Sequence, residues 1–597
     1  KCNKDMALAK KFNSQTIKLL SMFACVLAIF LLILQCLQHG MAAQCNCDCS
    51  CCASSHGDDT WHCCGGDMCH CCTFPKSIRP TTQLYTLSEH NRTPTELLCI
   101  DSLSGYLART EPAIYRVSSA QWKNNSQDSY SVWLMTMWKN NVNINNTYIS
   151  SPLSDIVQAF TANWSSLAPV LSYVRCNATD ESVSVAITLA SASESLLLIA
   201  GDEATAQTLA AMGAVLKRDL RGTTVDKELD SIIISKLRHS IYVFQNPSKS
   251  QFMADFSIYA RASNMIWNSK SVAQALTLNQ STGFGAAFGW GPENDYVTRL
   301  NEKGIWVHAS DYNKNFPALL NYIPEAPLAL TRTQTLTETG AATARINNKL
   351  KHTVSFLMSD GDNLQWTLGP FSTSTQWFGS VVDPKLRGTF AMGWTLSPAI
   401  ADLAPAAMEH ILSMKSNNDE LVAGPSGYGY NYPTTWPASK QESFASISAG
   451  AMHKFDMKTL NVLGQNDDPP NCKELQDLME RVQDGLIFYS WGDGYSGFKG
   501  KVFHCADKVI MSGKYSLWGN STDVTSDMVG VTAMIAKLLK EKRNTDPTLA
   551  TSYTLIPVHA WSHTLQDVLS IVNALSTDDF EIVLPSTMLH KIKQNVI

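Results

Sequence analysis

The last 250 or so residues of the chain alternate short apolar runs with helical patterns, and this alternation constrains the fold most. Eight runs have the length and apolar content of buried strands: 353–358, 388–392, 421–423, 459–463, 486–489, 508–511, 553–558 and 580–584. Helical patterns lie between several of them: 401–414, 439–453, 473–483, 526–542 and 563–575. Strands that alternate with helices form parallel sheets. The pattern predicts an α/β fold, a (β/α)8 TIM-barrel-like domain, with an open doubly wound sheet as the alternative.

The chain has 597 residues, of which 45% are hydrophobic, so it can build several hydrophobic cores. Strand-like runs at 240–245 and 304–309, and a strand followed by a helix near 196–216, predict an N-terminal α/β region of two or three subdomains. The predicted organisation has four parts. They are a signal peptide or signal anchor at 1–43, a Cys-rich disulfide segment and linker at 44–77, the N-terminal α/β region at 78–345, and the TIM-barrel-like domain at 346–597.

The N-terminus resembles an export signal. Lys10, Lys11 and Lys18 precede an uncharged apolar run at 19–37. A positive segment before such a run is typical of a cleaved signal or of a single membrane anchor. Either would place the body outside the cell. The chain is therefore expected to be secreted or to lie on the extracellular face of the membrane, and five of seven Asn-x-Ser/Thr triplets fall within 91–177, where glycosylation would require exposed surface.

The number and spacing of the cysteines are also typical of a protein outside the cell. Ten of the 17 lie within 45–72, which predicts a disulfide-stapled segment, with a metal-binding tract as the alternative. Four others allow three pairings, and the favoured ones, Cys99 with Cys176 and Cys472 with Cys505, each stay within one predicted domain.

Charge and motifs exclude several classes of function. Lys and Arg number 47 against 52 Asp and Glu, a net charge of −5, so no nucleic-acid partner is expected. The chain lacks the phosphate-binding G-x-x-x-x-G-K-[ST], the nucleophile elbow G-x-S-x-G and the zinc motif H-E-x-x-H. The expected partner is a carbohydrate substrate, with no cofactor and no resident metal; the oligomeric state stays open.

The loops after the predicted strands carry the candidate chemistry. Glycoside hydrolysis needs two carboxyl groups that flank the scissile bond. The sequence favours Asp362 and Asp493 as the acid/base pair, with Asp360 orienting them and Asp467 as a substitute partner. If the backbone is extended, Asp360 and Asp362 point to the same side. The predicted substrate-binding residues in these loops are Asn363, Trp394, Tyr428, Tyr430, Tyr432, Trp491, His559 and Trp561. Strand-end Asp residues also cap helices, which is the structural alternative.

Residues 427–433 read GYGYNYP and match the pattern G-x-G-Y-x-Y-P without a mismatch. On this motif, and on the acidic loop SDGDN at 359–363, the chain resembles the GxGYxYP putative glycoside hydrolase family. The resemblance covers about residues 78–597. It implies an N-terminal region followed by a TIM-barrel-like domain, and carbohydrate-active chemistry without a defined substrate.

The leading hypothesis is an extracellular glycoside hydrolase that acts on an oligo- or polysaccharide. One alternative is a non-catalytic carbohydrate-binding or matrix protein on the same fold, which the lack of any Glu in the eight strand-end loops favours. Another is a metal-dependent polysaccharide deacetylase with Asp360 or Asp362 as a ligand. Two polar and aromatic clusters of the N-terminal region, 289–296 and 309–312, are expected to fold over the barrel mouth or to form subdomain turns.

Overall fold

The computed structural model describes residues 74–596 with several gaps. The gaps are 119–127, 141–144, 150, 163–169, 229–235, 268–269, 271–272, 274–275, 277–283, 325–349, 380–385, 465–470, 491–497 and 519–527. The predicted export signal and the Cys-rich segment lie outside the described residues. Within the described part, no helix is both long and apolar enough to cross a membrane.

The strands, numbered in chain order, fall into four sheets. They are β1 Gln83–Ser88, β2 Ile114–Val117, β3 Asn145–Ile149, β4 Ser172–Arg175, β5 Leu198–Ala200, β6 Val215–Asp219, β7 Ile241–Phe244, β8 Ser263–Met265, β9 Gly285–Gly289, β10 Ile305–Ala309, β11 His352–Met358, β12 Met392–Leu396, β13 Asp419–Ala423, β14 Thr459–Gly464, β15 Gly485–Ser490, β16 Val502–Cys505, β17 Lys508–Ser512, β18 Tyr553–Val558 and β19 Phe580–Ile582.

The α-helices lie mainly between strands. They are α1 Pro94–Ala108, α2 Ser129–Asn140, α3 Leu153–Ala162, α4 Ser182–Ala192, α5 Glu203–Ala211, α6 Val225–Glu228, α7 Ala254–Tyr259, α8 Glu293–Asn301, α9 Phe316–Leu320, α10 Leu364–Trp366, α11 Ile400–Leu403, α12 Pro405–Met414, α13 Ala438–Lys454, α14 Gln476–Arg481, α15 Met528–Glu541, α16 Leu565–Ala574 and α17 Pro585–Asn595.

The N-terminal region contains three small sheets, in the orders β2-β1-β3, β5-β4-β6 and β10-β9-β7-β8. Every strand pair in them is parallel, as expected for strands connected through helices. Local signals set the helix starts: Thr93 and Glu96 form a capping box before α1. The strands predicted near 240–245 and 304–309 correspond to β7 and β10.

The C-terminal sheet has the strand order β16-β17-β15-β14-β13-β12-β11-β18, and β19 also pairs with β11. All pairs are parallel except β16 with β17. Beyond β17, the Lys514 amide donates to the Leu555 carbonyl of β18 and the Leu517 amide to the Pro557 carbonyl, both at 2.9 Å. The predicted mixed α/β fold with a parallel sheet is confirmed.

Two local predictions in this region are wrong, and one antiparallel strand pair lies where an irregular crossover is expected. The strand predicted at 388–392 is observed four residues later, as β12, so Trp394 lies inside a buried strand rather than in the loop after it. The apolar run continues through Gly393, and glycine in a strand resembles a turn signal. The antiparallel pair β16–β17 follows β15 where the chain is too short for a crossover helix, and helix α17 begins at Pro585, in a segment predicted as a loop.

One of the two favoured disulfides forms. Cys472 and Cys505 are bonded, with their Cα atoms 5.4 Å apart. Cys99 and Cys176 are free and buried, so that predicted pairing is wrong. Cys99 lies on α1 in the apolar core, and the Cys176 thiol faces the Ala200 carbonyl at 3.7 Å. Burial raises the pKa of each thiol to about 12, so both are unreactive as thiolates.

His308 on β10 is fully buried between aromatic rings, with centroid separations of 5.6 Å to Phe74, 5.1 Å to Phe288 and 6.1 Å to Tyr428. Neither imidazole nitrogen has a hydrogen-bond partner among the described residues. Burial lowers the pKa of His308 to about 3. The folded chain therefore holds a neutral imidazole that the unfolded chain protonates near pH 6.5.

His308 is expected to lower the stability of the folded state in acid. Between pH 6.5 and 3 the unfolded state binds a proton that the folded state does not, so the free energy of unfolding falls as the pH falls. The loss is about 2–3 kcal/mol at pH 4.5. Urea unfolding of the parent and of His308→Phe at pH 7.5, 6.0 and 4.5 measures it. The variant's stability should fall less steeply with acidification, and parallel curves would contradict the assignment.

Candidate active site

The acidic loop at 359–363 follows β11 and turns sharply beneath β12. Asp360 adopts a left-handed backbone with φ of 68°, so the extended geometry expected for 360–362 is wrong. At Gly361 an added Cβ would lie 1.8 Å from the Thr395 carbonyl oxygen, which only glycine permits. The Gly361 amide donates to Thr395 Oγ1 at 3.3 Å. The loop is thus fixed on its neighbouring strand, with Asp360 partly exposed and Asp362 buried.

Asp360 is held in position by hydrogen-bond donors. Trp561 Nε1 donates to Asp360 Oδ1 at 3.1 Å, and Ser359 Oγ donates to Oδ2. His559 Nε2 lies 3.9 Å from Oδ2, while its Nδ1 is 2.8 Å from Ser562 Oγ. Burial lowers the pKa of His559 and the Asp360 charge raises it. These contacts fix the orientation of the Asp360 carboxyl group at the end of β11.

Asp362 lies directly beside this carboxylate and is only 2% exposed. Neither of its carboxyl oxygens has a hydrogen-bond partner among the described residues. Burial raises the pKa of Asp362 well above the ordinary value, and the charges of Asp360 and Glu293 raise it further. Burial, followed by the charges of Asp360 and Asp362, likewise raises the pKa of Tyr489 at the end of β15. Burial and neighbouring negative charges both favour the neutral form of a carboxyl group.

A third carboxyl group, Glu293, comes from the N-terminal region, where it begins α8. Burial raises the pKa of Glu293 to about 7; the Tyr430 hydroxyl, which donates to Oε1, lowers it, and Asp360 raises it. Glu293 is not among the site residues that the sequence predicts. The available signal was its position in the 289–296 cluster that was expected to fold over the barrel mouth.

The GYGYNYP loop places Tyr430 on this glutamate. At Gly429, with φ of 150°, an added Cβ would lie 2.7 Å from the Val307 carbonyl oxygen of β10. The Tyr430 amide donates to that carbonyl at 2.8 Å, and the Tyr432 amide donates to Asn301 Oδ1 at 2.8 Å. The motif therefore attaches the loop after β13 to the N-terminal region and brings Tyr430 to Glu293.

Several predicted substrate-binding aromatics are buried. Tyr428 donates its hydroxyl to Asp402, and Trp394 donates Nε1 to Asp419 Oδ1 at 2.9 Å; both rings are fully enclosed. Tyr432 is also fully buried, and its hydroxyl has no hydrogen-bond partner in the described part of the chain. Burial and the Glu293 charge raise the pKa of Tyr432, so this ring lies near the acidic cluster.

The remaining predicted residues divide between the cluster edge and the undescribed loops. Asn363 follows Asp362, and its Oδ1 is buried with no hydrogen-bond partner among described groups. Trp561 is 50% exposed and lies over Trp366, with ring centroids 4.3 Å apart. Asp467, Asp493 and Trp491 lie outside the described residues. Across the described chain, no three His, Cys, Asp or Glu side chains are grouped so as to hold a metal ion.

Two family models match the chain. The GxGYxYP putative glycoside hydrolase C-terminal domain matches residues 350–593, and the GxGYxYP_N 1st domain matches residues 83–162. Together they span more than half of the sequence. A comparison with curated proteins finds no match.

The fold also resembles a solved structure. A crystal structure described as a putative hydrolase from Bacteroides thetaiotaomicron VPI-5482 superposes with a TM-score of 0.74 at 19% identity. The match covers 88% of this chain and 98% of that chain. At this identity the likeness establishes the shared fold.

Proposed function

Because this chain belongs to the GxGYxYP putative glycoside hydrolase family, we propose that it hydrolyses glycosidic bonds at the carboxyl cluster of Asp360, Asp362 and Glu293. One observation carries the proposal: carboxyl groups from two regions of the chain lie close enough for their charges to interact, and they differ in burial and in hydrogen-bond donors. Glu293 has a pKa of about 7, and Asp360 accepts hydrogen bonds from Trp561 and Ser359. Neighbouring carboxyls with such contrasting surroundings are the arrangement that glycosidases use.

In this proposal Glu293 is the general acid and Asp360 the base or nucleophile. Glu293 carries a proton up to about pH 7 and can deliver it to the leaving-group oxygen. Asp360 attacks the anomeric carbon or activates a water molecule. His559 and Trp561 hold its carboxylate in place.

Asp362 has a separate role in this assignment. Its carboxyl group is enclosed, and its raised pKa disfavours a second negative charge beside Asp360. The pair predicted from sequence, Asp362 with Asp493, is the competing assignment, and Asp467 remains its substitute partner. Reducing-end release by single Asp-to-Asn and Glu-to-Gln variants distinguishes the two assignments.

The surroundings of the site enter the proposal as well. We propose that the C-terminal sheet closes into a barrel. The parallel bridge between Leu517, which follows β17, and Val558 of β18 would join the two ends of the sheet. Carbohydrate is the proposed substrate, and the extracellular location inferred from the N-terminal segment is the proposed compartment.

The test is reducing-end release from a panel of purified polysaccharides by the full-length chain. We expect release by the parent and at least a hundredfold less from Asp360→Asn. Asp578→Asn, an exposed Asp whose side chain makes no contact in this cluster, is the matched control and should retain parental activity. A parent that binds these glycans without cleaving them would instead support the carbohydrate-binding alternative. Acetate release that depends on added metal would support the deacetylase.

A further inference from the structure

Two large aromatic side chains whose residues contact the short helix α10, after the acidic loop, are half exposed. Trp561 is 50% exposed and Tyr312 is 49% exposed, whereas most aromatic rings of the described chain are buried. Tyr312 lies in the N-terminal region, just after β10. Exposed aromatic faces carry a hydrophobic cost in water, which a ligand that packs on them would remove.

Both rings are held by contacts that leave one part uncovered. Trp561 lies over Trp366 at 4.3 Å and donates Nε1 to Asp360. The Lys249 ammonium group lies over the ring of Tyr312, 4.3 Å from its centroid, and the ring of Phe252 packs nearly perpendicular to it at a centroid distance of 5.5 Å. Lys249 is itself paired with Asp311. A ring fixed before binding loses little conformational entropy when a ligand packs on it.

The two residues are connected through the short helix that follows the acidic loop, Tyr312 by its backbone amide and Trp561 by its ring. The Tyr312 amide donates to Gln365 Oε1 at 3.2 Å, and Trp561 contacts the next residue, Trp366. Successive residues of a helix project about 100° apart. Tyr312 and Trp561 therefore approach different sides of α10, one from each region of the chain.

We infer that Trp561 and Tyr312 form two separate sugar subsites, and that the substrate is a chain of uncharged pyranose units long enough to contact both. This rests on the proposed function. A flat aromatic face buries the apolar C–H face of a pyranose ring. The carboxylate of Asp360 bonds directly to Trp561, so an anionic sugar at that subsite would be repelled. Trp561 is the subsite next to the reacting carboxyl groups, and Tyr312 is the distal one.

The test measures binding without turnover. The full-length Glu293→Gln chain is titrated with cello-, xylo-, manno- and chito-oligosaccharides from monomer to hexamer, followed by calorimetry. Affinity should rise with chain length until both subsites are filled. Tyr312→Ala in this background should weaken hexamer binding about tenfold and leave dimer binding unchanged, whereas Tyr312→Phe should bind like the parent. Trp561→Ala should weaken binding at every length.

Other results overturn the inference: an equal loss from Tyr312→Ala at all lengths, no loss at any length, or no binding of any oligosaccharide by the parent. Hydrolysis is measured separately on the chain with Glu293 intact. Length-dependent binding through Tyr312 without hydrolysis would retain the two subsites and refute the hydrolase. Hydrolysis by the chain, together with oligosaccharide binding that Tyr312→Ala does not change, would retain the hydrolase and refute the two subsites.

Discussion

Replacing Arg116 by leucine is expected to lower the free energy of unfolding by about 3–5 kcal/mol. Arg116 lies on β2 and is only 2% exposed. Its guanidinium group pairs with Asp101, contacts Glu89 Oε1 at 2.8 Å and donates to the Gln251 carbonyl at 3.0 Å. The substitution removes the ion pairs and hydrogen bonds that satisfy two carboxyl groups in the interior, and leaving these groups unsatisfied is the source of the loss.

The same network explains the size of the effect. Burial raises the pKa of Glu89, but Arg116 and Lys314 outweigh it and hold the value at about 2. Lys314 Nζ is 2.6 Å from Glu89 Oε2 and remains as a partial partner in the variant. Asp101 keeps no such second cation. Burial raises the pKa of Asp101 to about 8, Arg116 lowers it, and the charges of Asp255 and Glu89 raise it further. Without Arg116, Asp101 is therefore expected to be a buried, protonated carboxyl group that has lost its hydrogen-bond partner. The unsatisfied hydrogen-bonding capacity is therefore concentrated at Asp101.

Urea unfolding monitored by tryptophan fluorescence measures this loss. Arg79→Leu is the matched control, because Arg79 is 70% exposed and lies 3.7 Å from Glu111, so its loss should cost less than about 1 kcal/mol. Adding Asp101→Leu to Arg116→Leu should recover part of the stability by removing the stranded carboxyl group. Equal midpoints for Arg116→Leu and Arg79→Leu would show that the network contributes little.

The sequence predicted the strands of the C-terminal sheet well, because both faces of such strands are buried and each strand is a continuous apolar run. The runs at 353–358 and 553–558 illustrate this, since they match β11 and β18 closely. Trp394 was misplaced because a buried Trp and an exposed Trp look alike in a sequence, and only packing against Phe371 and Phe378 separates them.

The candidate site was only half accessible to sequence reasoning. Asp360 and Asp362 follow a strongly predicted strand, so their place at a strand end could be read directly. Glu293 lies 137 residues before Tyr430 in the chain, and nothing local relates the two. The contact exists because Gly429 lets the motif loop approach β10, which is a long-range packing result. The GYGYNYP motif is visible in the sequence, whereas its role in joining the N-terminal region to the C-terminal sheet depends on tertiary structure.

Replacing Glu293 by glutamine is expected to lower kcat on natural glycans by about 10²–10⁴. The amide cannot donate a proton to the leaving-group oxygen. The loss should nearly disappear for aryl glycosides with a dinitrophenol leaving group, which departs without protonation. In the parent, activity should fall as the pH rises through about 7, since the raised pKa keeps Glu293 protonated only below that value. Steady-state kinetics on both substrate types across pH 5–9 measure these effects.

Tyr430→Phe tests the pKa of Glu293 by removing the hydroxyl group that donates to its carboxyl. The Tyr430 hydroxyl stabilises the ionised form of Glu293, so removing it should raise that pKa and move the alkaline limb of the pH profile upward. Tyr553→Phe is the matched control, since it loses a hydroxyl that bonds the Pro547 carbonyl at 3.0 Å. A purely structural role for Tyr430 would lower kcat at all pH values and leave the limb in place. Equal loss by Glu293→Gln on natural and activated substrates would remove Glu293 as the acid and favour Asp362 with Asp493.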